Sequence, residues 1–159
     1  MGARTTNPGG PSTVALVGAL FPDLPPDSRA MLARLATQQR PAPGAVLMRE
    51  GRPTLQLGAI LKGRLAVRDR IGSDEVTIMT LEPGDIFGWS AVLDGVSTAS
   101  IIALAGAEVV LFERDALRRA LDADPASAAV VYRRLLAAVA SRLDATRLLM
   151  RDVYAGRAP

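Results

Sequence analysis

The stretch Leu81-Glu82-Pro83-Gly84-Asp85-Ile86-Phe87-Gly88-Trp89-Ser90-Ala91, closing at Ser97-Thr98-Ala99, decides how this chain is read. Proline, glycine and aspartate in a row are turn residues, and they end the strand-like run 76–81. Beyond the stretch come two more strand-like runs, 100–104 and 108–112, parted by Ala105-Gly106-Ala107. Before it, 46–48, 57–61 and 65–68 are short apolar runs of the same kind. Gly44, Gly51, Gly63, Gly72 and Gly84 punctuate the series at turn positions. Short strands with glycine turns roughly every ten residues predict a mainly β architecture, an all-β sandwich or jelly roll.

Helices are expected at both ends. Residues 14–21 read as a short apolar helix broken by Pro22, and Pro25-Pro26-Asp27-Ser28 signals a second helix start. Met31, Leu32 and Leu35 line one face of that helix, which is expected to end before Pro41. At the other end, 113–121 forms a short helix stopped near Asp122-Ala123-Asp124-Pro125, and a long helix runs from Pro125 to about Tyr154 with Asp124 as its N-cap. Ala129, Tyr132, Leu136, Val139, Leu143, Thr146, Met150 and Val153 alternate at three- and four-residue spacing, a heptad seam. Val131, Leu135, Leu148 and Leu149 lie outside it and offer a second apolar face. One face for the barrel and one for a twin helix is the economical reading, against the plainer one in which the helix only packs on its own chain.

Bulk composition narrows the chemistry. A length of 159 residues suits one domain with a real core, expected over 13–159, with 1–12 as a disordered tail. Aromatics are only 4%, so Leu, Val, Ala and Ile must build the interior. The chain has no Cys and no His, which excludes disulfides, thiolate chemistry, histidine-ligated metals and histidine general bases. The net charge is +3, and every basic residue but Lys62 is Arg. Those arginines are scattered among acids rather than clustered, which fits a GC-rich genome better than nucleic-acid binding. No apolar run approaches the ~20 residues of a membrane span, and the start lacks a signal-peptide core. A cytoplasmic bacterial protein is expected.

The opening stretch resembles the phosphate-binding cassette of cyclic-nucleotide-binding domains, the sensor modules of the catabolite-activator (Crp/Fnr-like) family. That cassette runs Pro-Gly-Asp, Phe-Gly-Glu, a short helix, then Arg-Ser/Thr-Ala. The preceding glycine pattern matches as well, at Pro43-Gly44-Ala45-Val46-Leu47, Arg49-Glu50-Gly51 and Ile60-Leu61-Lys62-Gly63-Arg64-Leu65. The resemblance covers about 20–153. It implies a β jelly-roll (double-stranded β-helix) barrel with N-terminal helices and a long C-terminal helix, 113–154 forming a dimerising helical end.

It also implies a ligand site at Gly88, Trp89, Ser90, Ala91, Ser97, Thr98 and Ala99, with Thr146 of the long helix touching the base. Gly88 would let backbone approach the ligand, and 90–93 would present the N–H groups of a helix start to a phosphate. Yet Trp89 stands where the family has Glu, and Ser97 where it has Arg. A hydrogen bond to a charged group contributes ~1.5–3 kcal/mol, so losing both predicts roughly two to four decades of lost affinity.

Other readings stay open. Trp89 is either a stacking platform or a buried anchor of the cassette. Ser97 and Thr98 either bond a ligand or are satisfied locally. Thr146 is either a base contact or a tolerated seam residue. Arg142 and Arg147 beside it, or Asp94 or Arg68 from elsewhere, could stand in for the missing charge.

No catalytic constellation is present, since Ser90 has no imidazole partner. The expected function is a non-enzymatic regulatory sensor, a homodimer through Leu136, Val139, Leu143, Thr146, Met150 and Val153. Its ligand would be cyclic AMP, cyclic GMP or another small anion, held weakly. The alternative is a degenerate sensor fold serving as a dimerisation module for an unidentified protein partner. No helix-turn-helix follows the long helix, so no DNA-binding domain is expected in this chain.

Overall fold

The computed structural model describes residues 11–93 and 95–155, the side chains of Pro11, Leu149, Asp152, Val153 and Tyr154 excepted. Residues 1–10 of the expected tail lie outside that description. Pro11 and Ser12 do not extend it, because they open the first helix, α1 (Pro11–Leu20). The second, α2 (Pro26–Leu35), starts on Pro26, where proline's missing N–H costs nothing.

The sequence reading left the next residues unassigned, but Ala36–Gln39 forms a strand, β1. Thr37-Gln38-Gln39 carries no apolar alternation, so its own pattern cannot announce a strand. Pairing with the strand that comes later at 108–113 decides it, from Ala36 opposite Phe112 to Gln39 opposite Val109.

The other strands are β2 (Val46–Met48), β3 (Gln56–Lys62), β4 (Leu65–Ile71), β5 (Asp74–Leu81), β6 (Ile86–Phe87), β7 (Ser100–Ala103) and β8 (Glu108–Glu113), all at predicted runs except the two-residue β6 inside the cassette. They form two antiparallel four-stranded sheets, ordered β1-β8-β3-β6 and β2-β7-β4-β5. This is the predicted jelly roll.

Strand alternation sorts side chains into two cores. Ile60 of β3, with Val109 and Leu111 of β8, faces Leu65, Val67, Leu81 and Ile101 between the sheets. Leu57, Ala59, Val110 and Phe112 face the helices, against Val17, Leu32, Leu117 and Val131. The first sheet is thus covered on both faces, and its central strands β3 and β8 read as nearly continuous apolar runs for that reason. Phe87 packs on Gly58, where an added Cβ would lie 2.2 Å from the ring, so glycine is what lets β6 dock on β3.

The turn before β6 is fixed by its residues. Pro83 and Gly84 occupy its two central positions, Gly84 at φ +92°, as a type II turn demands. Asp85 N–H donates to the Glu82 carbonyl (3.0 Å), and the Asp85 carboxylate accepts from Glu82 N–H (2.8 Å). Gly84 N–H donates to Ile60 O and Ile60 N–H to Asp85 O, so the turn is bonded to β3.

Two helices close the chain, α3 (Arg114–Ala123) and α4 (Pro125–Ala155). Glu113 caps α3 by accepting from the N–H groups of Asp115 and Ala116. Asp124 is the joint to α4. It accepts from Ser127 N–H (3.2 Å), from the Ser127 hydroxyl, and from the Ser28 hydroxyl of α2 (2.8 Å). These bonds, Ser127's hydroxyl first, hold its carboxyl below the ordinary carboxylate range.

Over its first half α4 buries Val131 and Leu135 against the barrel. Beyond Ala138 every described side chain is exposed except Arg142. The helix is about 46 Å long at ~1.5 Å per residue, and its second half leaves the body behind.

The depressed Asp124 pKa gives a pH test. A carboxyl that ionises more readily folded than unfolded stabilises the protein above its unfolded pKa and loses that contribution as pH falls through the folded value. Asp124→Asn should therefore be less stable than the parent near pH 7, with the gap narrowing below about pH 4. Denaturant titrations across that range check it, and a gap independent of pH would contradict it.

Candidate functional site

The cassette folds back on the mouth of the barrel. Gly88, at φ +75°, follows β6, and a five-residue 3-10 helix spans Trp89–Leu93. A bridge between Pro53 and Val96 then returns the chain toward β7. Ser97 to Ala99, Gly88 to Ser90 and the facing ends of β2, β4 and β5 enclose a cavity of about 200 Å³. Met48, Val67, Phe87 and Ile101 give it an apolar floor, and Ser90, Ser97 and Thr98 line it with hydroxyls.

The expected site residues have unequal roles here. Gly88 lines the cavity, yet its own chain already explains it: an added Cβ would lie 2.4 Å from the Gln56 carbonyl oxygen and 2.4 Å from Met48 Cε. The expected short helix is the 3-10 turn, and Ala91 N–H is already given to Gly88 O (3.0 Å). A helical dipole for a phosphate is correspondingly small, since that field needs aligned turns. Ala91 is fully buried and absent from the cavity wall.

Ser97 is held locally. Its hydroxyl donates to Ala99 O at 2.7 Å and its N–H to Arg52 O, while its carbonyl accepts from Gly51 N–H. Thr98 and Ala99 reach the wall, Thr98 from an exposed position. Thr146 does not reach it: exposed on α4, it donates its hydroxyl to Arg142 O of the preceding turn (2.9 Å).

One of the stand-in cations arrives. The Arg142 guanidinium lies 4.4 Å from the centroid of the Trp89 ring and donates to Ile86 O at 3.1 Å. Burial pulls its pKa down and Asp85 nearby pushes it up, and a guanidinium stays charged under that pull. A cation over an indole face is worth from ~0.5 to ~2 kcal/mol, rising as water is excluded. Trp89 is half-buried, neither the plug of the cavity nor a free platform, because Arg142 already lies on its face.

Arg134, two turns earlier on the same face of α4, donates to Gly84 O (3.1 Å). Together the two arginines lash α4 along the turn and β6. Arg147 points elsewhere, 3.9 Å from Asp144 on the exposed surface, and Arg68 pairs with Glu75 at 3.4 Å. Asp94 lies outside the described residues, as does the side chain of Val153 in the seam.

The sequence reading missed Asp69, which lines the cavity opposite the cassette. It stopped the strand at Arg68, whereas β4 continues to Ile71. Carrying the period of two onward from Leu65 and Val67 puts Asp69 on their inward face.

Comparison with known proteins agrees with this geometry. A 76-residue stretch is 40% identical to acetyltransferase Pat of Mycolicibacterium smegmatis, covering 45% of this chain and 23% of that protein. The chain thus spans less than a quarter of that relative. A cyclic nucleotide-binding domain from Methylobacillus flagellatus KT superposes with a TM-score of 0.77 at 23% identity, over 92% of this chain and 89% of that one. The N-terminal domain of a transcriptional regulator from Streptomyces coelicolor A3(2) superposes with a TM-score of 0.61 at 26% identity, over 80% and 90%. The sequence profile of the cyclic nucleotide-binding domain matches residues 38–124, more than half of the chain, and the protein belongs to that family.

Proposed function

We propose that residues 13–159 form one regulatory, non-catalytic sensor domain that works as a homodimer through α4 and grips its ligand differently from a standard cassette. The observation that carries the reading is Arg142. Among the described residues, the one arginine lining the cavity comes from the helix that also bears the seam, so occupancy of the cavity and the position of α4 would be linked through a single side chain. A ligand that engages Arg142 better in one helix arrangement would shift the population toward it.

Exposure of the seam supports the dimer. Leu136 is 69% exposed, Leu143 49% and Met150 52%, along a helix whose other face is spent on the barrel. Two such helices paired about a twofold axis would cover them as a coiled coil does. Absence of His and Cys supports a non-catalytic role, since Ser90 has no imidazole to activate it. Among the described residues no helix is long and apolar enough to cross a membrane, and we place the domain in the cytoplasm.

Cyclic nucleotide binding is weakened in this reading, because Trp89 and Ser97 supply neither the sugar acceptor nor the phosphate fork. A second reading, an interaction module for a protein partner with no small ligand, is favoured by two observations. The Ser97 hydroxyl is already satisfied, and about 200 Å³ is below the ~300–1,000 Å³ of usual ligand pockets.

Calorimetry separates the two. Trp89→Glu combined with Ser97→Arg should bind cyclic AMP at least about 100-fold tighter than the parent chain, the worth of two charge-assisted bonds. No gain would mean that the cassette backbone cannot receive a nucleotide. Light scattering on Leu143→Asp should return a monomer mass where the parent is a dimer, and an unchanged mass would remove the α4 interface.

A further inference from the structure

The cassette cavity holds two opposite charges that do not pair with each other. Arg142 spends one N–H on the Ile86 carbonyl and its face on Trp89, which leaves most of its five donors unused. Asp69 lines the same cavity from β4, and among the described residues its carboxylate accepts no hydrogen bond and joins no ion pair. Proteins seldom keep partly buried charges unmatched without a use for them. A lone anion entering here would gain Arg142 and meet Asp69 as a like charge, so the cavity disfavours the monoanionic phosphate that a standard cassette takes.

We propose that this cavity binds a small zwitterion, an α-amino acid with a short apolar side chain. Its carboxylate takes the free edge of the Arg142 guanidinium, where a fork-to-fork geometry is available. Its ammonium pairs with Asp69, across the cavity from the cassette residues Ser90 and Thr98. Its side chain rests on the apolar floor of Met48, Val67 and Ile101. The cavity, at about 200 Å³, is smaller than the ~300–1,000 Å³ of usual ligand pockets, which favours a small ligand. The inference rests on the sensor reading above and names its ligand class.

The test is a calorimetric and thermal-shift panel on the full chain: the common L-amino acids, their N-acetyl and amide derivatives, simple carboxylates, and cyclic AMP and cyclic GMP. Emission of Trp89, the chain's one tryptophan, gives a second readout because Arg142 lies on its ring. A branched-chain amino acid is expected to bind saturably at millimolar concentration or below and to change that emission. Its N-acetyl and amide derivatives should each bind at least tenfold more weakly. Asp69→Asn, an isosteric change, should weaken the free amino acid at least tenfold and tighten the N-acetyl form, a lone anion relieved of a like charge, and Arg142→Gln should weaken both.

Equal binding of an amino acid and its N-acetyl derivative would overturn the proposal, as would indifference to Asp69→Asn. Saturable cyclic AMP with silent amino acids would sink the zwitterion and keep the sensor. Silence from every compound at about 10 mM, well above a ~1 mM dissociation constant, would remove both.

Discussion

Arg142 lying on Trp89 is the contact on which the rest of this site depends. Without it, no described side chain of α4 beyond Ala138 would be held against the body, and Arg134 on the Gly84 carbonyl would be the last anchor before that point. With it, a helix segment far along the chain becomes part of the cassette wall. The guanidinium covers the indole face, satisfies the Ile86 carbonyl at the end of the turn, and leaves its charge within the cavity. The cassette that this one resembles carries its cation as an Arg side chain at the position of Ser97, whereas here the cation lining the cavity comes from α4.

That arrangement gives α4 two faces with different obligations. Val131 and Leu135 fix its first half to the barrel, while Leu136, Val139, Leu143 and Met150 leave an apolar stripe in water. That exposed stripe is the face through which α4 is proposed to pair with a second copy. Any shift at Arg142 would rotate or translate the stripe with it, because an α-helix transmits displacement as a stiff rod over a few turns. In the proposed function, the coupling between ligand and dimer would be short: one side chain, one helix.

Much of the fold was legible because glycine and proline mark it. Gly84 at φ +92° between Pro83 and Asp85 could hardly be anything but a turn, and the strands on either side follow a period of two. β1 was not legible, since Ala36-Thr37-Gln38-Gln39 gains its strand state from β8, over seventy residues away. The site was half legible. Gly88 was found for its nearness to a ligand, though its packing against Gln56 and Met48 already requires glycine. Arg142 stood among several stand-in cations, because choosing between it, Arg147 and Arg68 needs the phase of α4 over the barrel mouth. Thr146, one turn later on α4, bonds its own helix instead of facing the cavity. Asp69 was lost to a strand end placed at Arg68, where β4 runs on to Ile71.

The most direct test of the account is a double-mutant cycle between Trp89 and Arg142, using Trp89→Leu, Arg142→Met and the pair, read by denaturant unfolding. Methionine keeps much of the arginine stem while removing its charge, so the cycle isolates the cation on the ring. The account predicts a coupling of about 0.5–2 kcal/mol, the range for a cation over an indole face partly shielded from water. Additivity within ~0.3–0.5 kcal/mol would mean that the two side chains do not interact in solution, and that α4 is not held to the cassette by this contact.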